Sequence, residues 1–378
     1  MKKKLLIAAD TYFPKKDGVV RFLKEVVPRL QKQFKVTLIV PNFEGKKIEV
    51  KGTNVKIIKL PVSKYFSLSG YPSIKVSRKN KKTIKDEVKE ADVVFAQDLA
   101  MIGYFSIKYA KKYKKSIFAF IHQINWEQLP QVLPKSIRNL ARNFIKKFSA
   151  KIYNKCNLLA IPYKELGEEL KKQGIKAKME VVRLGIDSDF FSPTQDKVTS
   201  KNKVHIDPKF MVIGYVGRIS KEKNLEVLAE TFQKLQPHHK IFLLIVGGGS
   251  EMEMKKLEAV KNAKVTGFVS NVVPYLQAMD IFVMPSLTET TSLATLEAMS
   301  CGIPVITTKV GFLKEYVIKD HNGLLFPKGN AYTLGIQLKK MLENPELRKR
   351  LGHNGRNVAK SFSWDNSAER FKEIIEEL

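Results

Sequence analysis

The feature that most constrains this chain is an alternation of short apolar runs with longer amphipathic stretches, and it occurs twice. In the first series, Leu5–Ala9, Val36–Val40, Val55–Leu60, Val93–Ala96, Ile117–Ile121, Leu158–Ile161 and Glu180–Leu184 read as strands. Between them, Phe22–Gln33, Thr83–Glu90, Met101–Lys112 and Glu165–Gln173 carry apolar residues at helical spacing. Strands joined through helices lie parallel, in right-handed crossover units. A second series begins at Met211–Val216 and continues through Ile241–Val246, Ala263–Thr266, Ile281–Met284, Val305–Thr307 and Leu324–Phe326. A chain of 378 residues is long for one core and comfortable for two. The expected fold is therefore α/β, with two doubly wound Rossmann-like domains facing across a cleft. Their bounds are residues 1–190 and 204–362, with a polar linker at 191–203 and a terminal helix at 363–378 packing back on the first domain. In such sheets, ligands collect at the carboxyl ends of the strands.

Cys156 and Cys301 form neither a disulfide framework nor a metal-ligand pattern, which points to a reducing compartment. Leu5–Ala9 is too short for a signal sequence, and no apolar run approaches the ~20 residues that span a bilayer. The expected location is cytoplasmic, peripheral at the inner face of the cell membrane. The net charge of +30 calls for an anionic partner. It is unevenly spread: residues 1–200 hold 42 Lys and Arg against 18 Asp and Glu, and the remainder holds 25 against 19. Solvated lysines would spread evenly; a basic half facing nucleic acid or an anionic membrane would not.

Between the apolar runs at Ile281 and Val305 lies Pro285-Ser286-Leu287-Thr288-Glu289, followed by a helical stretch that contains Glu297 and stops at Gly302-Ile303-Pro304. Glu289 is in the turn and Glu297 eight residues on, so along a helix the carboxylates would stand on the order of 10 Å apart. That suits a grip on two ends of an extended ligand, with the helix N-terminus offering free N–H groups to an anion between them. Arg218 and Lys223 flank a short turn after the Met211 strand; a planar fork and a point charge there suit a diphosphate, and a solvated turn is the plainer alternative. Gly247-Gly248-Gly249 follows the next strand and would admit a ligand to the backbone, or simply turn. Gly18 follows the first strand in the same way. His122 closes a strand, where a histidine is either structural or at a ligand site. Asp187-Ser188-Asp189 has the form of a metal-holding pair but sits where the chain leaves the first domain, and His238-His239 reads as a surface loop; no metal site is expected.

Ser136–Tyr153 is the clearest amphipathic helix. Ile137, Leu140, Ala141, Phe144, Ile145, Phe148 and Ile152 form one stripe, and Arg138, Arg142, Lys146, Lys147 and Lys151 lie off it. This is the composition of a helix lying in a membrane interface, or of one docked on its own domain with its basic face in water. Tyr65–Tyr71, followed by Arg78-Lys79-Asn80-Lys81-Lys82, is a second candidate surface-binding loop.

Taken together, these residues resemble the large retaining glycosyltransferase family with a GT-B-type fold, family 4 of the Glu-x7-Glu type, which includes sucrose synthases, bacterial-type glycogen synthases and lipid mannosyltransferases. The resemblance covers essentially the whole chain. It is carried by Val216-Gly217-Arg218 with Lys223, Gly247-Gly248-Gly249, Pro285-Ser286, Glu289 to Glu297-Ala298-Met299, Gly302-Ile303-Pro304-Val305, Gly311 with Glu315, and Asn322-Gly323. Gly18, His122 and Gly185-Ile186-Asp187 with Phe191 match weaker marks of the first domain. Two positions depart: Thr290-Thr291-Ser292 replaces the usual Gly-aromatic-Gly, and Asp17-Gly18 replaces a glycine pair.

The resemblance implies a metal-independent hexosyltransferase whose nucleotide sugar, such as UDP-glucose, is a substrate, with no cofactor. Glu289 would contact the transferred sugar and Glu297 the ribose hydroxyls. Arg218 and Lys223 would hold the diphosphate, with Ser292 and Leu293 assisting. Gly18, Gly247 and Val269 would complete the donor site, and His122 would lie close to the sugar. With the basic first domain holding the acceptor, the expected reaction moves glucose or mannose to a membrane lipid such as diacylglycerol or a phosphoinositide. Arg138, Arg142, Phe144, Lys146, Lys147 and Lys151 would meet the membrane or acceptor. The alternatives are transfer to a soluble or undecaprenyl-linked glycan, a donor-binding protein without activity, and a basic nucleic-acid-binding protein. The last leaves Glu289 and Glu297 beside Arg218 and Lys223 unexplained, so no nucleic acid is expected.

Overall fold

Leu5-Leu6-Ile7-Ala8 and Val93–Ala96 are apolar at every position because both faces of their sheet are covered. In the computed structural model, which describes residues 2–15, 17–43, 55–68 and 71–378, the chain divides into two units: Met1–Leu184 with Trp364–Leu378, and Gly185–Ser363. The first unit contains β1 (Lys4–Ala8), β2 (Lys35–Asn42), β3 (Lys56–Leu68), β4 (Tyr71–Ile74), β5 (Val93–Ala96), β6 (Ser116–Phe120), β7 (Leu158–Ile161) and β8 (Lys178–Val181). They lie in the order β4-β3-β2-β1-β5-β6-β7-β8, parallel except for the β3–β4 pair. The second contains β9 (Met211–Val216), β10 (Ile241–Val246), β11 (Ala263–Val265), β12 (Ile281–Met284), β13 (Val305–Thr308) and β14 (Leu324–Phe326). Their order is β11-β10-β9-β12-β13-β14, all parallel. The expected pair of doubly wound α/β sheets is present.

Each sheet reverses direction beside its first strand. β1 pairs with both β2 and β5, and β9 with both β10 and β12. At such a switch point the loops leaving the two adjacent carboxyl ends run apart and leave room for a ligand. The segments delivered there are 9–17 and 97–100 in the first unit, and 217–224 and 285–292 in the second.

Several sequence expectations need correction. The stretch 191–203 is not a loose linker. Phe191 is buried, Lys197–Lys203 is helical, and Asp196 caps that helix by accepting from the Val198 and Thr199 amides at 2.9 and 3.2 Å. Buried Lys201 pairs with Asp280 at 2.7 Å and donates to the Phe210 carbonyl, so the segment is part of the second unit. β8 ends at Val181, earlier than the apolar run suggests. Much of Tyr65–Tyr71 is strand and not loop: the backbone on either side is paired antiparallel, Ser67 with Pro72 and Leu68 with Tyr71, while Ser69 and Gly70 lie outside the described residues. The terminal helix Trp364–Glu377 belongs to the first unit, where buried Phe371 meets Phe22, Phe95 and Phe120 at ring distances of 5.4, 5.2 and 5.7 Å.

Candidate active site

The switch point of the second sheet brings Lys223 and Glu289 into direct contact. Lys223 Nζ donates to Glu289 Oε1 at 2.7 Å, and the side chains are only 16% and 8% exposed. The Ser286 hydroxyl donates to the same oxygen at 2.7 Å, while its own carbonyl accepts from Thr308 Oγ1. Tyr215 and Tyr316 are buried nearby. Burial, and then the Glu289 charge, push both phenols well above their usual range, so they stay protonated. The Tyr215 hydroxyl donates to the Arg218 carbonyl at 2.8 Å, and that of Tyr316 is shared between the Thr291 and Ser292 carbonyls at 3.1 and 3.2 Å.

Arg218 is held by a residue the sequence reading passed over. Glu222 Oε1 accepts from Arg218 Nη2 at 3.2 Å and from the Ser220 hydroxyl at 2.7 Å, and its carbonyl accepts from the Leu287 amide. One carboxylate thus ties the β9 exit together, and its main chain ties it to the β12 exit. The signal was a glutamate four residues after an arginine across a turn. The glycine triplet has an internal reason. A Cβ on Gly247 would lie 1.8 Å from the Gly217 carbonyl oxygen, and one on Gly249 would lie 2.1 Å from that of Ile219. Those two glycines let the β9 and β10 exits pack backbone to backbone. Half-buried Val269 follows Phe268, whose ring would meet a Cβ on Gly248 at 2.9 Å.

The helix after Glu289 runs from Leu293 to Ser300, where its apolar spacing places it, and Glu289 lies in the turn before it, outside the helix axis, so the ~10 Å helical estimate does not apply. Ser292 caps it at φ 55°, the left-handed conformation glycine would adopt freely, and bonds Thr295 through its hydroxyl at 2.8 Å. Gly311, at φ 52°, lies against Glu289: a Cβ there would stand 1.9 Å from the Glu289 carbonyl oxygen. Glu297 is half-buried within the helix. One turn on, the Cys301 thiol is pushed up to about 12, first by burial and then by the Glu297 charge.

In the first unit, polar residues meet at the exits of β1, β5 and β6. Asp10 accepts from the Ile102 and Gly103 amides at 2.7 and 2.9 Å and so caps the helix Met101–Lys112; burial nevertheless pushes its carboxyl up to about 7. Asp98 accepts from the Leu99 amide at 2.6 Å, from Gln123 Nε2 at 2.5 Å and from Asn125 Nδ2 at 3.2 Å, and burial raises its carboxyl too. His122 Nε2 lies 2.8 Å from Gln97 Oε1, with Phe22 and Phe120 edge-on at ring distances of 5.1 and 4.6 Å. Burial pushes the imidazole down to about 3, so it is neutral at physiological pH. Gln97-Asp98 directly after an apolar run was the available signal for this cluster, and the motif reading missed it. Gly18 opens the helix Gly18–Leu30, and among the described residues, its chain neighbours and own helix backbone apart, nothing lies within 4 Å of where its Cβ would be.

Asp187 Oδ1 accepts from the Phe190 amide at 3.0 Å, which is the geometry of a turn, and among the described residues no group of three His, Cys, Asp or Glu lies together as metal ligands do. His238-His239 follow the helix Leu225–Leu235, with both amides bonded to the Leu235 carbonyl. The basic amphipathic helix runs from Arg138 to Tyr153. Ser149, Ala150, Ile152 and Tyr153 dock its last turn, but Leu140 is 75% and Phe144 68% exposed, with Ile137 and Phe148 also exposed. Arg142, Lys147 and Lys151 are exposed beside them, Lys146 is half-buried, and Arg138 Nε donates to the Leu133 carbonyl at 2.8 Å. Among the described residues no helix is long and apolar enough to cross a membrane.

Two family models match. Glycosyltransferase Family 4 matches residues 16–190, and Glycosyl transferases group 1 matches residues 196–358. A D-inositol 3-phosphate glycosyltransferase of Corynebacterium jeikeium is 31% identical over 217 residues, covering 53% of this chain and 52% of that protein. The sulfoquinovosyl transferase SQD2 of Arabidopsis thaliana is 28% identical over 221 residues, covering 56% and 43%. The chain spans about half the length of the curated relatives it matches. Among solved structures, Anabaena HepE in complex with UDP and glucose superposes with a TM-score of 0.83 at 16% identity, covering 100% of both chains, a likeness of fold. With one family model on each unit, a GT-B fold, and Arg218, Lys223 and Glu289 gathered at one switch point, the chain belongs to the family 4 glycosyltransferases.

Proposed function

We propose that this protein is a retaining hexosyltransferase that moves glucose or mannose from a nucleotide sugar to a membrane lipid. The donor half rests on the Lys223–Glu289 pair with Arg218 at the β9–β12 switch point. Cleaving the bond between the anomeric carbon and the phosphate oxygen leaves charge on a nucleoside diphosphate. Arg218, Lys223 and the amides near Ser292 and Leu293 stabilise that charge as it forms, and the reading needs no metal. The leaving oxygen takes the acceptor's proton on the face it departs from, so configuration is retained. Glu289 positions the sugar, Glu297 takes the ribose hydroxyls, and Gly247 and Val269 border the nucleotide. Gly18 and His122 are the first unit's candidate donor contacts, His122 for the sugar. UDP in the HepE structure supports a UDP-sugar as the first donor to try.

The acceptor half rests on the Arg138–Tyr153 helix, where Leu140 and Phe144 stand in solvent among basic residues. An apolar ridge flanked by cations suits an anionic lipid surface, at which the protein would be peripheral. The inositol-phosphate relative favours a second reading, a soluble phosphorylated acceptor. A thermal-shift panel of UDP-glucose, UDP-galactose, GDP-mannose and UDP-N-acetylglucosamine tests the donor half. A donor at 100 times its Kd stabilises the fold by about 2.7 kcal/mol, and no shift with any of the four would sink this reading. Glu289→Gln should then abolish transfer while leaving vesicle binding intact. Flotation with anionic vesicles at low salt tests the acceptor half, and failure to float there turns the assignment to the soluble acceptor.

A further inference from the structure

Three successive carbonyls of the turn after Glu289 are held by one segment. The Thr290 carbonyl accepts from the Phe312 amide at 2.8 Å, and those of Thr291 and Ser292 converge on the Tyr316 hydroxyl at 3.1 and 3.2 Å. A trans peptide carries its N–H opposite its carbonyl. With these carbonyls turned toward residues 312–316, the amides of Thr291, Ser292 and Leu293 are turned away from them. None of the three donates to a backbone carbonyl among the described residues. Ser292 is left-handed, at φ 55° and ψ 65°. Successive N–H groups around a left-handed residue form a concavity that suits an anion.

Such a turn does not hold itself. Glycine takes the left-handed conformation freely and serine does not. Two carbonyl oxygens that meet at one point repel each other unless a proton lies between them. The Ser292 carbonyl has a second donor, the Thr295 amide at 3.0 Å, but that of Thr291 has no donor besides Tyr316 among the described residues. The phenol is itself firmly seated. Its buried ring packs edge-on against Phe312 and Phe362 at 5.2 and 5.8 Å, and Asn322 Nδ2 donates to the Tyr316 carbonyl at 2.7 Å. Phenylalanine would fill the ring's place equally well, so packing does not account for the hydroxyl. We propose that Tyr316 is a positioning residue, whose hydroxyl pins the Thr291 and Ser292 carbonyls and so aims the Ser292 and Leu293 amides at the donor's diphosphate. This rests on the reading above that those amides meet the diphosphate. The clamp also answers for Ser292, which stands where the family usually has glycine: a hydroxyl from another loop supplies the restraint that lets serine hold the turn.

The test uses the full chain as wild type, Tyr316→Phe and Thr231→Val, each titrated calorimetrically with UDP and with GDP. Thr231 is the control for stability alone. Its buried hydroxyl is likewise shared between two carbonyls, of Val227 and Ala331 at 2.8 and 3.2 Å, but it lies where two helices of the same unit meet. Both variants should lower Tm. Tyr316→Phe should weaken the nucleoside diphosphate that wild type binds by about 10- to 100-fold, the worth of a hydrogen bond to a charged group. Thr231→Val should leave that affinity within about twofold. An unchanged affinity in Tyr316→Phe overturns the clamp and leaves the donor reading standing. An equal loss in both variants also overturns it, by assigning the effect to stability. A wild type that binds neither UDP nor GDP overturns the donor reading, and this inference with it.

Discussion

At position 289 a carboxylate 8% exposed to water has an ammonium 2.7 Å away and a serine hydroxyl on the same oxygen. A charge in such a site is stable while its counter-charge is near, and stranding it is costly. Lys223→Met should therefore lower unfolding free energy by about 3 kcal/mol. Combining it with Glu289→Gln should restore part of that loss, and a double-mutant cycle from urea unfolding would measure the coupling. Additive losses would mean the pair is not energetically linked. Gly311→Ala tests the same carboxylate from behind. Its Cβ would stand 1.9 Å from the Glu289 carbonyl oxygen at a φ of 52°, so a destabilisation of roughly 2–4 kcal/mol is expected, together with lost transfer. The sequence placed Lys223 and Glu289 at strand exits that adjoin in this topology. It did not disclose their pairing, because a motif says which exit a residue leaves, not where a long side chain points. Gly311 was legible as a motif member, but its reason is a carbonyl on another loop.

Among the elements, the central strands were the easiest to read, since a strand covered on both faces is apolar throughout and flanked by turns. The Tyr71–Ile74 strand was missed: it is four residues long, contains Pro72 and sits at the sheet edge, where a proline is tolerated and periodicity is too short to register. The Arg138–Tyr153 helix shows the limit of periodicity differently. Its stripe was plain in the sequence, but a stripe does not say whether anything covers it, and here only the last turn is covered. Because Leu140 and Phe144 are 75% and 68% exposed, changing both to Glu should alter unfolding free energy by no more than about 0.5 kcal/mol. Each side chain buried in a lipid interface contributes roughly 1.5 kcal/mol or more. The double variant should accordingly lose about a hundredfold in partition to anionic vesicles. Binding unchanged in a flotation assay would remove the helix from the membrane reading.

For the whole molecule, composition disclosed the charge asymmetry but not how acid-base groups are buried, because that depends on residues distant in sequence meeting at strand exits. Asp10 and His122 belong to the same unit and act oppositely on stability. The Asp10 carboxyl has a folded pKa of about 7 against an ordinary 3.8, so between those values the folded state holds a proton that the unfolded chain has released. Its contribution is fully present below the ordinary value and is lost as pH rises through about 7. His122, at about 3 against 6.5, contributes stability that is present above 6.5 and lost as pH falls through about 3. Each slope is at most about 1.4 kcal/mol per pH unit, and in the shared window they oppose one another. Asp10→Asn removes one slope and leaves the other. From pH 6.5 down to 4.5, the variant should lose stability relative to wild type by up to about 1.4 kcal/mol for each unit. Urea unfolding of both proteins at several pH values measures that difference directly, with every other carboxylate common to the pair. Parallel curves would mean that Asp10 is ionised in the folded protein throughout. The two helix-capping amides of Ile102 and Gly103 would then have outweighed the burial that opposes them.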